Sequence, residues 1–254
     1  MFSISREDLF LGEPYCLKDI CKIYQLTIKE IKDSIGLDKY QYYVNLFTME
    51  KEDLADLLKK KKVAMPGMEN LTVFQYLMAS AMLDNTFFLD FKQGLSTFIK
   101  EEILISPSKQ IIIIGNPQDR RVIREEEFSE FALALRLFNR MRVKEPPPEN
   151  ETPMQRKFRL KREERERVKE QTAKKKSGED SAEFADVMSS LCVMNVGITA
   201  LNIKNYTVYQ IKDLLERAQA KETYYTELDM VMAGADSKKI KPKHYVRNLQ
   251  KEVN

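Results

Sequence analysis

The sequence predicts a mainly α-helical protein with a small β-sheet or hairpin in its N-terminal block, and two blocks joined by a charged helical arm. Three observations support this prediction. Apolar residues recur at helical spacing through most of the chain. Helix-capping sequences precede several of these runs. Only eight glycines occur among the 254 residues, which disfavours a loop-rich β-sandwich or a doubly wound nucleotide-binding fold.

The first block, residues 1–143, opens with a strand predicted over residues 21–26, where apolar and polar side chains alternate. Thr27 and Glu30 then have the spacing of a capping box, in which each side chain accepts a hydrogen bond from the other residue's backbone N–H. A short helix is therefore predicted to begin after Thr27 and to end at Gly36, since glycine is a common helix terminator.

The rest of the first block shows the same helical spacing, interrupted once by β-rich sequence. Strands are predicted over residues 102–105 and 110–114, with a third over residues 121–124. Further helices are predicted over about residues 38–47, 50–62, 72–83, 85–100 and 125–142.

The middle of the chain, residues 144–178, is a proline-rich spacer followed by a charged helical arm. Three consecutive prolines favour an extended spacer, and residues 154–176 then carry 11 basic and four acidic residues without a continuous apolar stripe. Residues 144–176 carry 12 basic and seven acidic residues, a net charge of +5, whereas the net charge of the whole chain is only +3. The excess positive charge therefore lies in this stretch. Because the arm has little apolar surface, the two blocks are expected to fold independently.

The second block, residues 179–254, begins with an amphipathic helix from about residue 180 through Leu191. Thr207 and Gln210 form another capping box, which predicts a long helix that ends at Gly234. A basic tail follows, and Pro242 is predicted to begin one last short helix.

No pattern of catalytic or metal-binding residues is found. His244 is the single histidine and lies in the basic tail, without a recognisable nucleophile to activate. Cys16 and Cys21 are the only closely spaced pair of potential zinc ligands, and Cys192 lies among apolar neighbours, so the cysteines are expected to be structural. Gly115 follows a strand but lacks the second glycine, lysine and Ser/Thr of a phosphate loop. The sequence predicts no enzyme, no metal and no cofactor.

The compartment follows from the cysteines and the apolar segments. Three cysteines are an odd and sparse set, which favours a reducing compartment over a disulfide scaffold. The N-terminus lacks the basic start and apolar run of a signal peptide. No stretch reaches the ~20 apolar residues that span a bilayer. A cytoplasmic protein without a membrane partner is expected.

The basic arm is the one candidate for nucleic-acid contact, through Lys174, Lys175 and Lys176. Four acidic residues are interleaved with its basic residues and would repel phosphates. A solvated helical spacer is the favoured interpretation, and nucleic acid is not expected as a partner.

The candidate protein-binding face lies on the long helix of the second block. Tyr209 and Tyr224 do not both fit the apolar stripe that faces the core, and exposed tyrosines often anchor interfaces. With Lys238, Lys239 and Arg247 of the tail, they are predicted to form a docking face for an α-helical partner. The alternative is that the tyrosines cover the edge of the core.

Two segments resemble a known family. Residues 14–17, 23–31 and 38–40 resemble the strand and T-[IL]-x-E-I sequence that open small assembly proteins of tailed bacteriophages of Gram-positive hosts. Residues 206–211, the long helix and the basic tail are similar to the C-terminal helical part of phage tail assembly chaperones. The closing segment of these chaperones often carries an aromatic residue, a place that Tyr245 can fill.

This resemblance implies a non-enzymatic assembly chaperone or scaffold for phage tail morphogenesis. Such a protein binds tape-measure or tail-tube subunits in the host cytoplasm, and self-association is compatible with that role. Two alternatives are a structural component of the virion, in the tail or neck, and a nucleic-acid-binding adaptor that uses the basic arm.

Overall fold

A computed structural model describes residues 4–51, 53–54, 71–141, 143, 151–159, 161–162, 165, 168, 184–194, 197–236 and 240–246. The described chain is mainly α-helical with two small antiparallel sheets, which confirms the predicted fold class. The helices are α1 (Arg6–Leu11), α2 (Ile28–Ser34), α3 (Leu37–Phe47), α4 (Val73–Leu83), α5 (Asn85–Phe98), α6 (Glu125–Phe138), α7 (Phe184–Met194) and α8 (Val208–Met232). The strands are β1 (Tyr15–Leu17), β2 (Cys21–Ile23), β3 (Ile103–Ser106), β4 (Ile111–Ile114) and β5 (Arg121–Ile123).

Capping boxes fix the starts of three helices, and those at Thr27 and Thr207 were predicted. At α2, the Thr27 N–H donates to Oε2 of Glu30 at 2.9 Å, and the Glu30 N–H donates to Oγ1 of Thr27 at 3.2 Å. The same exchange begins α4 at Thr72 and α8 at Thr207. Each box provides acceptors for N–H groups that have no partner inside the helix, so these threonines define where the helices start.

The two sheets are short and antiparallel. β1 and β2 form a hairpin in which Leu17 and Ile23 are buried. β3, β4 and β5 pair in that order, as the sequence predicted for residues 102–124. Ile112 and Ile114 of β4 are buried and alternate with half-buried isoleucines, so one face of this sheet covers the core.

Phenylalanines from α3, α5 and α6 form the centre of the core. The ring of Phe47 lies 5.5–6.3 Å from those of Phe91, Phe98, Phe128 and Phe131. Gly94 permits the close approach of α5, because a Cβ at this position would lie 2.8 Å from the Phe47 ring. The first block therefore has a densely packed aromatic core.

The second block shares this core. Leu191, Ile203, Val208 and Ile211 belong to the same cluster of buried residues as the first block. The expectation of independent folding does not fit this shared core, because the blocks meet through buried side chains rather than through the arm. The division at residues 143 and 179 remains a prediction.

The starts of α2 and α8 are also joined through their backbones. Thr27 and Thr207 form an antiparallel β-bridge, and the Ile28 N–H donates to the Tyr206 carbonyl at 3.0 Å. The N-cap residues of α2 and α8 therefore lie against each other.

Other predicted elements are seen in part. Residues 153–159, 161–162, 165 and 168 of the predicted arm are helical. Most of the helix predicted over residues 50–62 lies outside the described residues. The short helix predicted from Pro242 is not observed in residues 242–246, which instead run alongside α8.

Candidate protein-binding site

α8 divides into two halves by burial. Its buried residues lie between Val208 and Ala218, and none of its residues after Ala218 is buried. We call residues 208–218 the inner half and residues 219–232 the outer half. The whole helix is one uninterrupted run of 25 residues, so the outer half extends from a base that the core holds in place.

The inner half is held by a group of charged side chains, the anchor cluster, around Asp213. The Asp213 carboxylate accepts hydrogen bonds from Arg140 and, at 2.8 Å, from Nε of Arg217, and Arg6 lies 3.6 Å away. The side chains of Arg140 and Asp213 are only 4% and 2% exposed. Arg140 also donates to Glu216. The cluster therefore ties α1 and the end of α6 to α8.

Arg140 remains charged in this buried position. Burial alone would lower its pKa, but the hydrogen bond to Glu216 and the negative charges of Glu216 and Asp213 raise the pKa above the usual value for arginine. A backbone φ of +49° at Arg140, in the left-handed region, brings its side chain back towards α8. The charge is thus balanced inside the protein rather than by solvent.

Tyr209 is not part of an exposed face, and the prediction that it binds a partner is wrong. Its side chain is fully buried, and the Arg140 guanidinium lies 5.2 Å from the centre of its ring. α1, α6 and α7 all pack against α8, so the inner half is covered on more sides than a single apolar stripe requires. The cation–π contact with Arg140 makes Tyr209 part of the anchor.

Tyr224 belongs to an aromatic cluster on the outer half, together with Tyr225, His244 and Tyr245. The His244 ring stacks on that of Tyr245 at 4.6 Å, and Tyr224 lies 5.1 Å from His244 and 5.9 Å from Tyr245. Tyr225 is 46% exposed, and its hydrogen bond with Tyr245 raises its pKa. The tail is therefore held on α8 by rings that still present surface to solvent.

A groove of about 770 Å³, the outer groove, lies on another side of the outer half. Tail residues Ile240 and Lys241 form one wall. The helix wall consists of residues that recur three or four positions apart, so they share one face: Gln219, Glu222, Thr223, Thr226, Glu227 and Met230.

The other predicted contact residues cannot be placed. Lys238, Lys239 and Arg247 of the tail, and Lys174, Lys175 and Lys176 of the arm, lie outside the described residues. Of the predicted docking face, the structure brings Tyr224 together with the tail at His244 and Tyr245. Sequence reasoning proposed Tyr245 from the family resemblance, and nothing in helical periodicity could have paired it with Tyr224.

The described residues do not have the features of a metal site or of a membrane span. Among them, no group of three or more His, Cys, Asp or Glu residues is arranged to hold a metal ion. Burial raises the pKa of the Cys21 thiol to about 12, so this cysteine stays protonated at neutral pH. Within the same ranges, no helix combines the length and apolarity needed to cross a bilayer.

The outer half lies in a segment that is similar to a known protein family. The model of the YomV second domain family matches residues 173–250 of the 254, a segment that includes α7, α8 and the aromatic cluster. YomV is a protein of a Bacillus phage region. No curated protein and no solved structure matches the chain. The match supports a phage protein with a YomV-like segment at residues 173–250.

Proposed function

We propose that this protein is a non-enzymatic assembly chaperone or scaffold of phage tail morphogenesis, which binds a tape-measure or tail-tube subunit through the outer half of α8. The observation behind this proposal is that the YomV-like segment leaves the aromatic cluster and neighbouring apolar side chains uncovered. The similarity of residues 206–211 and the following helix to tail assembly chaperones directs the proposal to tail subunits.

The chemistry of this surface suits a helical protein partner. Tyrosines provide a large contact area and lose little conformational entropy on binding. Ring contacts with His244 and Tyr245 already restrict Tyr224, so this side chain loses less conformational entropy when a partner binds. Met232 lies seven positions after Tyr225, on the same side of the exposed helix, and supplies an adaptable apolar contact.

The anchor cluster gives this surface a fixed base. Because Asp213 and Arg140 hold the inner half in the core, the outer half can receive a partner without local folding of α8. Such a chaperone would act in the host cytoplasm, where tail subunits are made, before it leaves or joins the particle.

The experiment is co-expression of the full chain with the tape-measure and tail-tube subunits of the same phage. Replacing Tyr225 and Tyr245 with serine should weaken binding at least about tenfold, as expected for central aromatic contacts. The thermal midpoint should change little, because both rings lie outside the core. Tyr42→Ser is the matched control, since Tyr42 is 44% exposed on a distant helix and should leave binding unchanged.

Intact binding in the double variant would contradict the proposed face. Loss of binding together with a large fall in thermal midpoint would show that the cluster serves the fold.

The two alternative roles predict different results. A structural virion component would be found in purified particles at a fixed ratio to the tail proteins. A nucleic-acid adaptor would show salt-dependent DNA or RNA binding, and changing Lys174, Lys175 and Lys176 to glutamine would reduce the salt slope by about one per lost phosphate contact.

A further inference from the structure

The arm exposes a helix that no part of its own described chain covers. Its first turn is capped by Thr152 and Gln155, with the Gln155 N–H donating to Thr152 Oγ1 at 3.3 Å. None of its described residues is buried. Met154 and Phe158 are 68% and 64% exposed, which is unusual for side chains of this size.

The exposed residues of the arm have the spacing of a helix-pairing seam. Met154, Phe158, Lys161 and Arg165 follow one another at intervals of four, three and four, which places them on one face of the helix. The seam is apolar at its start and basic towards its end. Basic side chains outnumber the interleaved acidic ones by 11 to four over residues 154–176, so a partner surface must accept net positive charge.

The outer groove has the complementary chemistry. Gln219, Thr223, Thr226 and Met230 repeat the intervals of four, three and four along its helix wall. The threonines are small enough to let another helix approach closely, and Met230 adds an apolar contact. Glu222 and Glu227 also line the groove and outnumber Lys241, the basic side chain among its lining residues. Neither glutamate forms an ion pair with any residue that the structure describes.

We propose that the outer groove binds the arm helix of a second copy of this chain. Positive charge at Lys161 and Arg165 would lie against Glu222 and Glu227, and the two seams share the same spacing. The arm does not occupy the groove of its own chain, since its described residues are exposed. Reciprocal exchange of arms between two copies gives a closed two-fold dimer.

This contact uses a different face of α8 from the aromatic cluster. Successive helix residues are about 100° apart, so Tyr225 points about 200° away from Thr223. Self-association through the groove is therefore compatible with a tail subunit on the aromatic cluster. Dimer formation through the groove does not depend on tail-subunit binding, so either one can be disproved without the other.

The experiment exchanges charge across the contact in the full-length chain. Glu222→Lys/Glu227→Lys is the groove variant, and Lys161→Glu/Arg165→Glu is the arm variant. Each variant alone places like charges opposite one another and should weaken the dimer at least about tenfold. Mixed in equal amounts, the two variants have opposite charges at both contacts, so a heterodimer should form.

Sedimentation velocity and native mass spectrometry measure these outcomes against a chain mass of 29.8 kDa. The wild-type dimer should weaken as salt rises from about 0.1 M to about 1 M, because the Debye length falls from about 10 Å to about 3 Å. Asp19→Lys/Asp33→Lys is the control, since it changes net charge equally at exposed sites away from α8 and should keep the dimer.

A wild-type chain that remains monomeric at about 100 μM would overturn the proposal and leave the groove to a basic helix of another protein. A dimer that survives both charge reversals, or variants that fail to pair when mixed, would overturn it as well. Tyr225→Ser/Tyr245→Ser should keep the dimer, which separates this contact from tail-subunit binding.

Discussion

The inner and outer halves of α8 belong to one continuous helix but are used differently. Both contain apolar and aromatic residues, yet Tyr209 is fully buried while Tyr225 is half-exposed. The difference comes from their surroundings, because α1, α6 and α7 pack against α8, whereas the described ring contacts of Tyr225 are with Tyr224 and Tyr245. An apolar residue in this helix therefore stabilises the fold or remains available to a partner according to its distance from Thr207.

The largest expected contrast between the halves concerns charge. Asp213→Ala removes one of the two carboxylates that Arg140 contacts and leaves its buried guanidinium with Glu216 alone, which should cost about 3 kcal/mol of unfolding free energy. Asp229→Ala, in the outer half, should change stability by less than about 0.5 kcal/mol, because Asp229 is exposed. Urea denaturation of the two variants measures both values. Equal losses would show that the anchor cluster does not hold the inner half.

A smaller contrast is expected between Thr207, at the start of α8, and Thr223, in its outer half. Thr207→Ala removes the cap that begins α8 and should cost about 1 kcal/mol. Thr223→Ala lies inside the helix on the exposed face and should be neutral or stabilising by up to about 0.7 kcal/mol, since alanine has the higher helix propensity. Thermal and urea unfolding of both variants provide the comparison. A Thr223→Ala chain destabilised at concentrations where it is monomeric would show that the outer half is packed against something within the monomer.

The smallest effect is expected at the end of the helix. Replacing Met232 with glutamine should shift the unfolding free energy by no more than about 0.5 kcal/mol, because its side chain is exposed. Co-purification with a tail subunit should nevertheless decline, since Met232 lies on the same side of α8 as Tyr225. Unchanged binding with lower stability would reverse the assignment of this segment.

Local signals in the sequence predicted the helices well. Thr27 and Thr207 begin helices as expected, because a capping box depends only on residues three apart. The isoleucine-rich strands were likewise predicted from short runs of β-favouring residues. α1 was missed, since its six residues carry only the Ser5 cap and no apolar period long enough to recognise.

The candidate site was predicted only in part, because it depends on contacts between distant residues. Helical spacing separated Tyr209 from the apolar stripe, but it could not show that Arg140, about 70 residues earlier, lies over its ring. Spacing also gives no indication that His244 and Tyr245 fold back onto Tyr224. The exposed charges of the arm were visible in the sequence. The groove that contains Glu222 and Glu227 could not be predicted, because the tail forms one of its walls.

The bridge between Thr27 and Thr207 closes a loop of about 180 residues, and closing this loop has an entropy cost. The entropy of closing a loop grows only with the logarithm of its length, so doubling a flexible segment costs about 0.6 kcal/mol. Insertions or deletions in the arm would therefore change the stability of the bridge very little. The length of the arm can therefore vary while the helix starts at Thr27 and Thr207 keep their geometry.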